Sequence, residues 1–207
     1  MRERNDVHTQ NAAVSQLLDE ADHLRVNLYR MLAGLLARSP DQGVLTSLSS
    51  LSGDETELGQ AIGDLSKCAV EMTAEDVSDE YIRLFIGVGR GELVPFGSYY
   101  LTGFLHEKPL ARLRSAMAPL GIERAPEVKE PEDHAAALMD MMAGLIDGSF
   151  GERQPLHVQR DFFREHVGSW IGHFYRDLAA AKGARFYAPV GRIGALFTEI
   201  EDAGFDM

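Results

Sequence analysis

Apolar residues recur every three or four positions along almost the whole chain, and that spacing constrains the fold more than any other feature. Leu17, Ala21, Leu24, Leu28, Met31 and Leu35 form the first such series, and Pro40 closes it. Residues spaced this way share one face of an α-helix, so each series predicts a helix with one buried stripe. Val44, Leu45, Leu48 and Leu51 predict a second, short helix, and Leu58, Ile62, Leu65 and Met72 a third, capped by Asp54. Thr73 stands three residues before Asp76, which is a capping-box spacing, and opens a helix carrying Val77, Tyr81, Leu84 and Phe85. Later series run from Pro109 to Leu120, through Leu138, Met141, Met142 and Leu145, and along Phe162, Phe163, Val167, Trp170, Phe174 and Leu178. A last one joins Val190, Ile193, Leu196, Phe197 and Ile200.

The pattern predicts an all-α chain, a single irregular bundle of about seven to nine helices spanning 1–207. The best strand candidate, Tyr99-Tyr100-Leu101, is too short to change that class. Two breaks interrupt the helices. Gly87 to Gly97 holds four glycines and Pro95 in eleven residues and reads as an irregular loop. The stretch 122–131, with Pro126 and Pro131, reads as a hinge between an N-terminal and a C-terminal helical part. That hinge makes a domain-swapped dimer conceivable, although a monomer is the expected main species.

Charge narrows the partners. Lys plus Arg is 20 against 32 Asp plus Glu, a net charge of −12 that repels phosphate backbones, and no local basic stripe offsets it. Nucleic acid is therefore excluded, whereas a basic peptide is attracted. The one cysteine, Cys68, cannot form an internal disulfide and fits a reducing compartment. No secretory signal is visible at the start, and no apolar run approaches the ~20 residues a membrane span needs. These readings predict a cytoplasmic protein without stable membrane insertion.

Catalytic patterns are missing. The glycine loop has no Lys-Ser/Thr ending and follows a helix, which argues against a phosphate cradle. No Gly-x-Ser-x-Gly elbow exists, and Cys68 lacks a neighbouring histidine. Glu130 and His134 form no second matching pair, so no metal is expected; His166 and His173 are seven apart on an aromatic helix. Two surfaces remain. One is the loop edge of Leu93, Val94, Pro95, Phe96 and Tyr99, apolar side chains beside exposed backbone donors. The other is Glu130-Pro131-Glu132-Asp133-His134, which reads as a helix start with Pro131 in the first turn and carboxylates at the positive end. The same carboxylates suit a guanidinium and would favour a protonated His134.

Three segments in order also resemble one family. They are Glu80-Tyr81-Ile82-Arg83-Leu84-Phe85-Ile86-Gly87 with Pro95-Phe96-Gly97-Ser98-Tyr99-Tyr100; Glu130-Pro131-Glu132-Asp133-His134; and Phe162-Phe163-Arg164-Glu165-His166-Val167-Gly168-Ser169-Trp170. Arg185-Phe186-Tyr187-Ala188 follows in the expected place. Together they resemble the TorD/DmsD/NarJ group of redox-enzyme maturation chaperones, nearer the TorD/DmsD branch. Val88 and Ala135 depart from that group's usual residues. The resemblance implies an all-helical, cytoplasmic, non-enzymatic protein. Such a chaperone binds the twin-arginine signal peptide and the apo form of a molybdenum oxidoreductase, of the DMSO or TMAO reductase or formate dehydrogenase type. It delays export and assists insertion of the molybdenum cofactor, which the client carries. Weak GTP binding in some members, and a role as an accessory oxidoreductase subunit, are the alternatives. On this reading Asp133, with Glu130 and Glu132, meets the arginines beside Pro131 and His134. Tyr81, Leu84, Phe85, Gly87, Pro95, Phe96, Ser98 and Tyr99 form or support the apolar contact, and His166 and Trp170 support it from behind.

Overall fold

The computed structural model describes residues 20–87, 91–126 and 128–207, so Leu17 and the loop residues 88–90 fall outside it. The described residues form ten α-helices: α1 (Glu20–Ala37), α2 (Gln42–Ser49), α3 (Glu57–Glu71), α4 (Ala74–Tyr81), α5 (Gly97–Thr102), α6 (Lys108–Met117), α7 (Ala135–Asp147), α8 (Leu156–Phe162), α9 (Ile171–Ala180) and α10 (Tyr187–Gly204). Two π-helical turns, Ile82–Ile86 and Phe163–Gly168, continue α4 and α8. The only extended pairing among these residues is a single antiparallel bridge between Phe96 and His134. The all-α expectation holds.

Helix ends follow local chemistry. Thr73 and Asp76 do form the reciprocal capping box that starts α4. At α3 the cap is Thr56, not Asp54; Asp54 instead accepts the Thr56 backbone N–H at 2.9 Å, one step upstream. Gly121, at φ 69°, ends the run that follows α6. Tyr99-Tyr100-Leu101 lies within α5 rather than a strand. The single long helix expected after Pro155 is two, because the chain turns at Ser169 and Trp170 before α9.

The core is arranged around α7. Its buried positions lie on nearly all sides, from Ala135 through Ile146, not on the one stripe that periodicity suggests. Helix α1 covers it most extensively, and α8 and the second π turn also pack on it. Helices α9 and α10 form the other large contact. They approach closely because α10 presents glycine there: a Cβ on Gly191 would sit 2.5 Å from the Ala179 backbone nitrogen.

Two buried carboxylates fasten α10. Glu201 is 5% exposed and takes Arg25 in a two-point ion pair at 2.8 and 2.9 Å, with the Tyr29 hydroxyl donating at 2.9 Å. This ties the C-terminal helix to α1. Glu80 is 1% exposed and accepts the backbone N–H groups of Arg185, Phe186 and Tyr187 at 2.9, 3.1 and 2.8 Å. A helix start leaves its first N–H groups unpaired and partly positive, and a carboxylate answers both needs. The opening residue of the first motif is thereby joined to the closing Arg185-Phe186-Tyr187 run.

Glu80→Ala strands those buried donors and should lower unfolding stability by about 3 kcal/mol or more. Glu80→Gln keeps an acceptor and should cost less. Urea denaturation measures both, and an unchanged midpoint for Glu80→Ala would contradict the capping role.

Candidate functional site

The segments 95–98 and 133–135 are stitched together. Gly97 N–H donates to the Asp133 carbonyl at 2.9 Å and Ala135 N–H to the Pro95 carbonyl at 2.8 Å. The Asp133 side chain adds a third bond, its Oδ2 accepting Ser98 N–H at 2.7 Å at the start of α5. Asp133 thus complements a helix N-terminus, but that of α5, not that of its own helix. Pro131 is not in a first turn either. Helix α7 begins at Ala135, with His134 as its cap and His134 Nδ1 accepting Ala136 N–H at 3.1 Å. A turn closed by His134 N–H on the Pro131 carbonyl at 3.1 Å, and then the bridge that holds His134 extended against Phe96, delay the helix.

The third motif closes on this seam from behind. Trp170 is 1% exposed, and its indole lies against Gly97, where a Cβ would come within 2.9 Å of Nε1. Its Nε1–H donates to the His166 carbonyl at 2.9 Å, next to the π turn. Tyr100 stacks at 5.5 Å from Trp170 and donates its hydroxyl to Asp177 at 2.9 Å. Residues from all three motifs therefore meet in one place.

The expected contact residues divide by exposure. Leu84 is fully buried and serves the core, which removes it from a contact surface. Tyr81 and Phe85 are half-buried, 5.0 Å apart, and both lean on Tyr187; the Tyr81 hydroxyl donates to the Leu36 carbonyl at 3.1 Å. Gly87, at φ 60°, ends the first π turn. Phe96 is half-buried and meets the His134 ring edge-on at 4.9 Å. Pro95 and Ser98 are buried, and Tyr99 is half-buried beside Tyr100. His166 is buried and His173 exposed on the next helix, so the two do not form a pair. No cluster of metal-ligating side chains occurs among the described residues.

The acidic run divides in the same way. Glu132 is taken by the chain's own arginines: Arg114 at 2.7 Å and Arg124 at 3.7 Å. Burial pushes its carboxyl up, but the Arg114 hydrogen bond and the two guanidinium charges hold it below the usual range. Asp133 is 3% exposed. Glu130 alone of the three stands in solvent. After burial, its charge raises the Tyr81 phenol, and the same charge opposes the fall at His134. The expectation of a protonated His134 fails. Burial drives its pKa down to about 4, outweighing Glu130 and Asp133, and the ring nitrogen that accepts Ala136 N–H must keep its lone pair.

Sequence reasoning passed over Arg114 and Arg124, the internal partners of Glu132, and Ile82 and Ile86. Those isoleucines are 46% and 58% exposed on the first π turn and extend the apolar surface beside Phe85. An (i, i+4) pair of isoleucines in a motif already named was the available signal.

Known proteins resemble this chain. Residues 52–176, more than half of the chain, match the family model described as nitrate reductase delta subunit. The chaperone protein TorD of Vibrio parahaemolyticus is 25% identical over 136 residues, 62% of this chain and 63% of its own length. That of Vibrio cholerae serotype O1 (El Tor Inaba N16961) is 25% identical over 175 residues, 79% and 80% of the two chains. A crystal structure of an Archaeoglobus fulgidus protein, described as a redox enzyme maturation protein, superposes with a TM-score of 0.53 at 19% identity, covering 87% of this chain and 94% of that one. That likeness shows the fold. Among the described residues no helix is long and apolar enough to cross a membrane.

A depressed histidine pKa fixes the sign of a pH effect. Between about 4 and 6.5 the unfolded chain binds the proton that folded His134 refuses. Its contribution is complete above 6.5 and erodes as pH falls towards 4. His134→Asn keeps a capping acceptor without the titration. Urea unfolding at pH 7 and pH 4.5 should show the parent losing roughly 2 kcal/mol more than the variant. Equal losses would contradict a ring held neutral in the fold.

Proposed function

This chain belongs to the nitrate reductase delta subunit family, and from that premise we propose that it is a chaperone for the maturation of a molybdenum oxidoreductase. It holds the twin-arginine signal peptide and the apo enzyme in the cytoplasm until the client's cofactor is inserted, and so delays export. The client is of the DMSO or TMAO reductase or formate dehydrogenase type. The chaperone carries no cofactor of its own and acts mainly as a monomer.

One observation carries this reading: a solvent-facing carboxylate, Glu130, whose charge acts on Tyr81 and His134, the two rings against which half-buried Phe85 and Phe96 pack. A signal with a basic start and an apolar middle needs an acidic group next to an apolar surface. Glu130 takes an arginine, and Phe85 and Phe96, with Ile82 and Ile86 exposed on the same turn as Phe85, take the apolar residues. Gly87 and Tyr99 shape the edges. Pro95, Ser98, Pro131 and Asp133 fix the seam that presents Phe96, with Trp170 and His166 as its backing. The family description also favours a second reading, an accessory oxidoreductase subunit. Co-purification with the mature, cofactor-loaded enzyme would select the subunit; release on maturation would select the chaperone.

Calorimetric titration with a synthetic twin-arginine peptide tests the leading reading. Binding should weaken as salt rises, because charge attraction is screened. Glu130→Gln should weaken it by about two- to fivefold, as for an exposed ion pair, with an unchanged melting temperature. Phe96→Ala should weaken it by about tenfold. Equal binding by a peptide lacking both arginines would sink the charge-pairing mechanism.

A further inference from the structure

Asp133 has a second side. Its Oδ2 is satisfied by Ser98 N–H, but Oδ1 is buried without a hydrogen-bond partner among the described residues, and so is the Ser98 hydroxyl. A buried acceptor without a donor is costly, and for a carboxylate the cost is larger still. Asp133 also lines a small cavity between α5, α6 and the Phe163–Gly168 turn, of about 20 Å³. Leu101, Leu113 and Trp170 supply apolar wall, and Arg112 and Glu165 supply charge.

We infer that this cavity receives one primary ammonium group, of the kind a client lysine side chain carries. Size decides against a guanidinium: about 20 Å³ admits one water-sized group, which an ammonium is and a planar five-donor fork is not. Charge favours a cation, with two carboxylates, Asp133 and Glu165, against the one guanidinium of Arg112. A charged donor is also the partner that best compensates a buried carboxylate oxygen. The apolar walls suit the methylene stem, which lysine buries while its head is held. Leu101 is 41% exposed, and Phe104 and Leu105 just beyond it are 69% and 43% exposed, leaving apolar surface for the residues flanking that lysine. The inference rests on the reading of the chain as a peptide-holding chaperone, and it gives Asp133 a task separate from that of Glu130.

Trp170 is the only tryptophan in the chain and lines the cavity, so its fluorescence reports on occupancy. The full chain is titrated with N-acetyl-lysine methylamide, and with the norleucine and arginine counterparts. The lysine probe should give a saturable change, and the other two should bind at least about tenfold more weakly. Asp133→Asn, checked for folding by its melting curve, should lose the lysine response. Should that variant fail to fold, carbodiimide coupling in the parent protein decides, and the lysine probe should appear on Asp133 or Glu165 by mass spectrometry. No saturable change, an equal response to norleucine, an arginine probe binding as tightly, or coupling elsewhere would each overturn the assignment and leave a cavity that holds water. The twin-arginine titration above is read independently, so a parent protein that binds the twin-arginine peptide but gives no lysine response rejects this inference alone.

Discussion

The surface proposed to hold the client depends on one residue's double use of its polar atoms. Asp133 accepts Gly97 N–H on its backbone carbonyl and Ser98 N–H on its carboxylate, so the chain before α7 is locked to the start of α5. The two segments are about 35 residues apart, and the Ala135 N–H bond to the Pro95 carbonyl reinforces the join. Once joined, they fix Phe96 against His134 and lay Gly97 on Trp170. The π turn before Trp170 belongs to the same arrangement, since the His166 carbonyl there receives the indole N–H. Each piece limits the others, which is how a loop rich in glycine can present a defined surface.

Buried carboxylates recur as fasteners in this all-helical chain. Glu80 closes the start of α10, Glu201 pins its far end to α1 through Arg25 and Tyr29, and Asp133 closes the start of α5. Irregular bundles lack the repeating seam of a coiled coil, so helix ends must be placed one by one. A buried acceptor that meets specific N–H groups does this with directionality that apolar packing lacks. A net charge of −12 is thus partly structural. Glu132 makes the same point, since it faces inward to Arg114 and Arg124 and leaves Glu130 to face solvent.

The helical class and most helix positions were legible because apolar spacing is a local signal, and the Thr73–Asp76 box was legible for the same reason. The motifs were legible as segments, yet their mutual contacts were not. Nothing local says that Glu80 reaches Arg185, or that Asp133 serves α5 instead of α7. The reading of His134 as protonated failed because sequence displays its acidic neighbours but hides its burial, and burial is the larger effect. Leu84 and Phe85 are adjacent on one apolar stripe, and only the packing separates the core residue from the half-exposed one.

The client signal is proposed to lie along the Phe96–His134 seam, with Glu130 meeting an arginine. Photo-crosslinking tests it most directly, with a twin-arginine peptide carrying a photoreactive group beside the arginines and adducts mapped by mass spectrometry. Adducts are expected at Phe85, Phe96, Glu130 or His134. Adducts confined to the face around Val70 and Glu75, on α3 and α4, would contradict it.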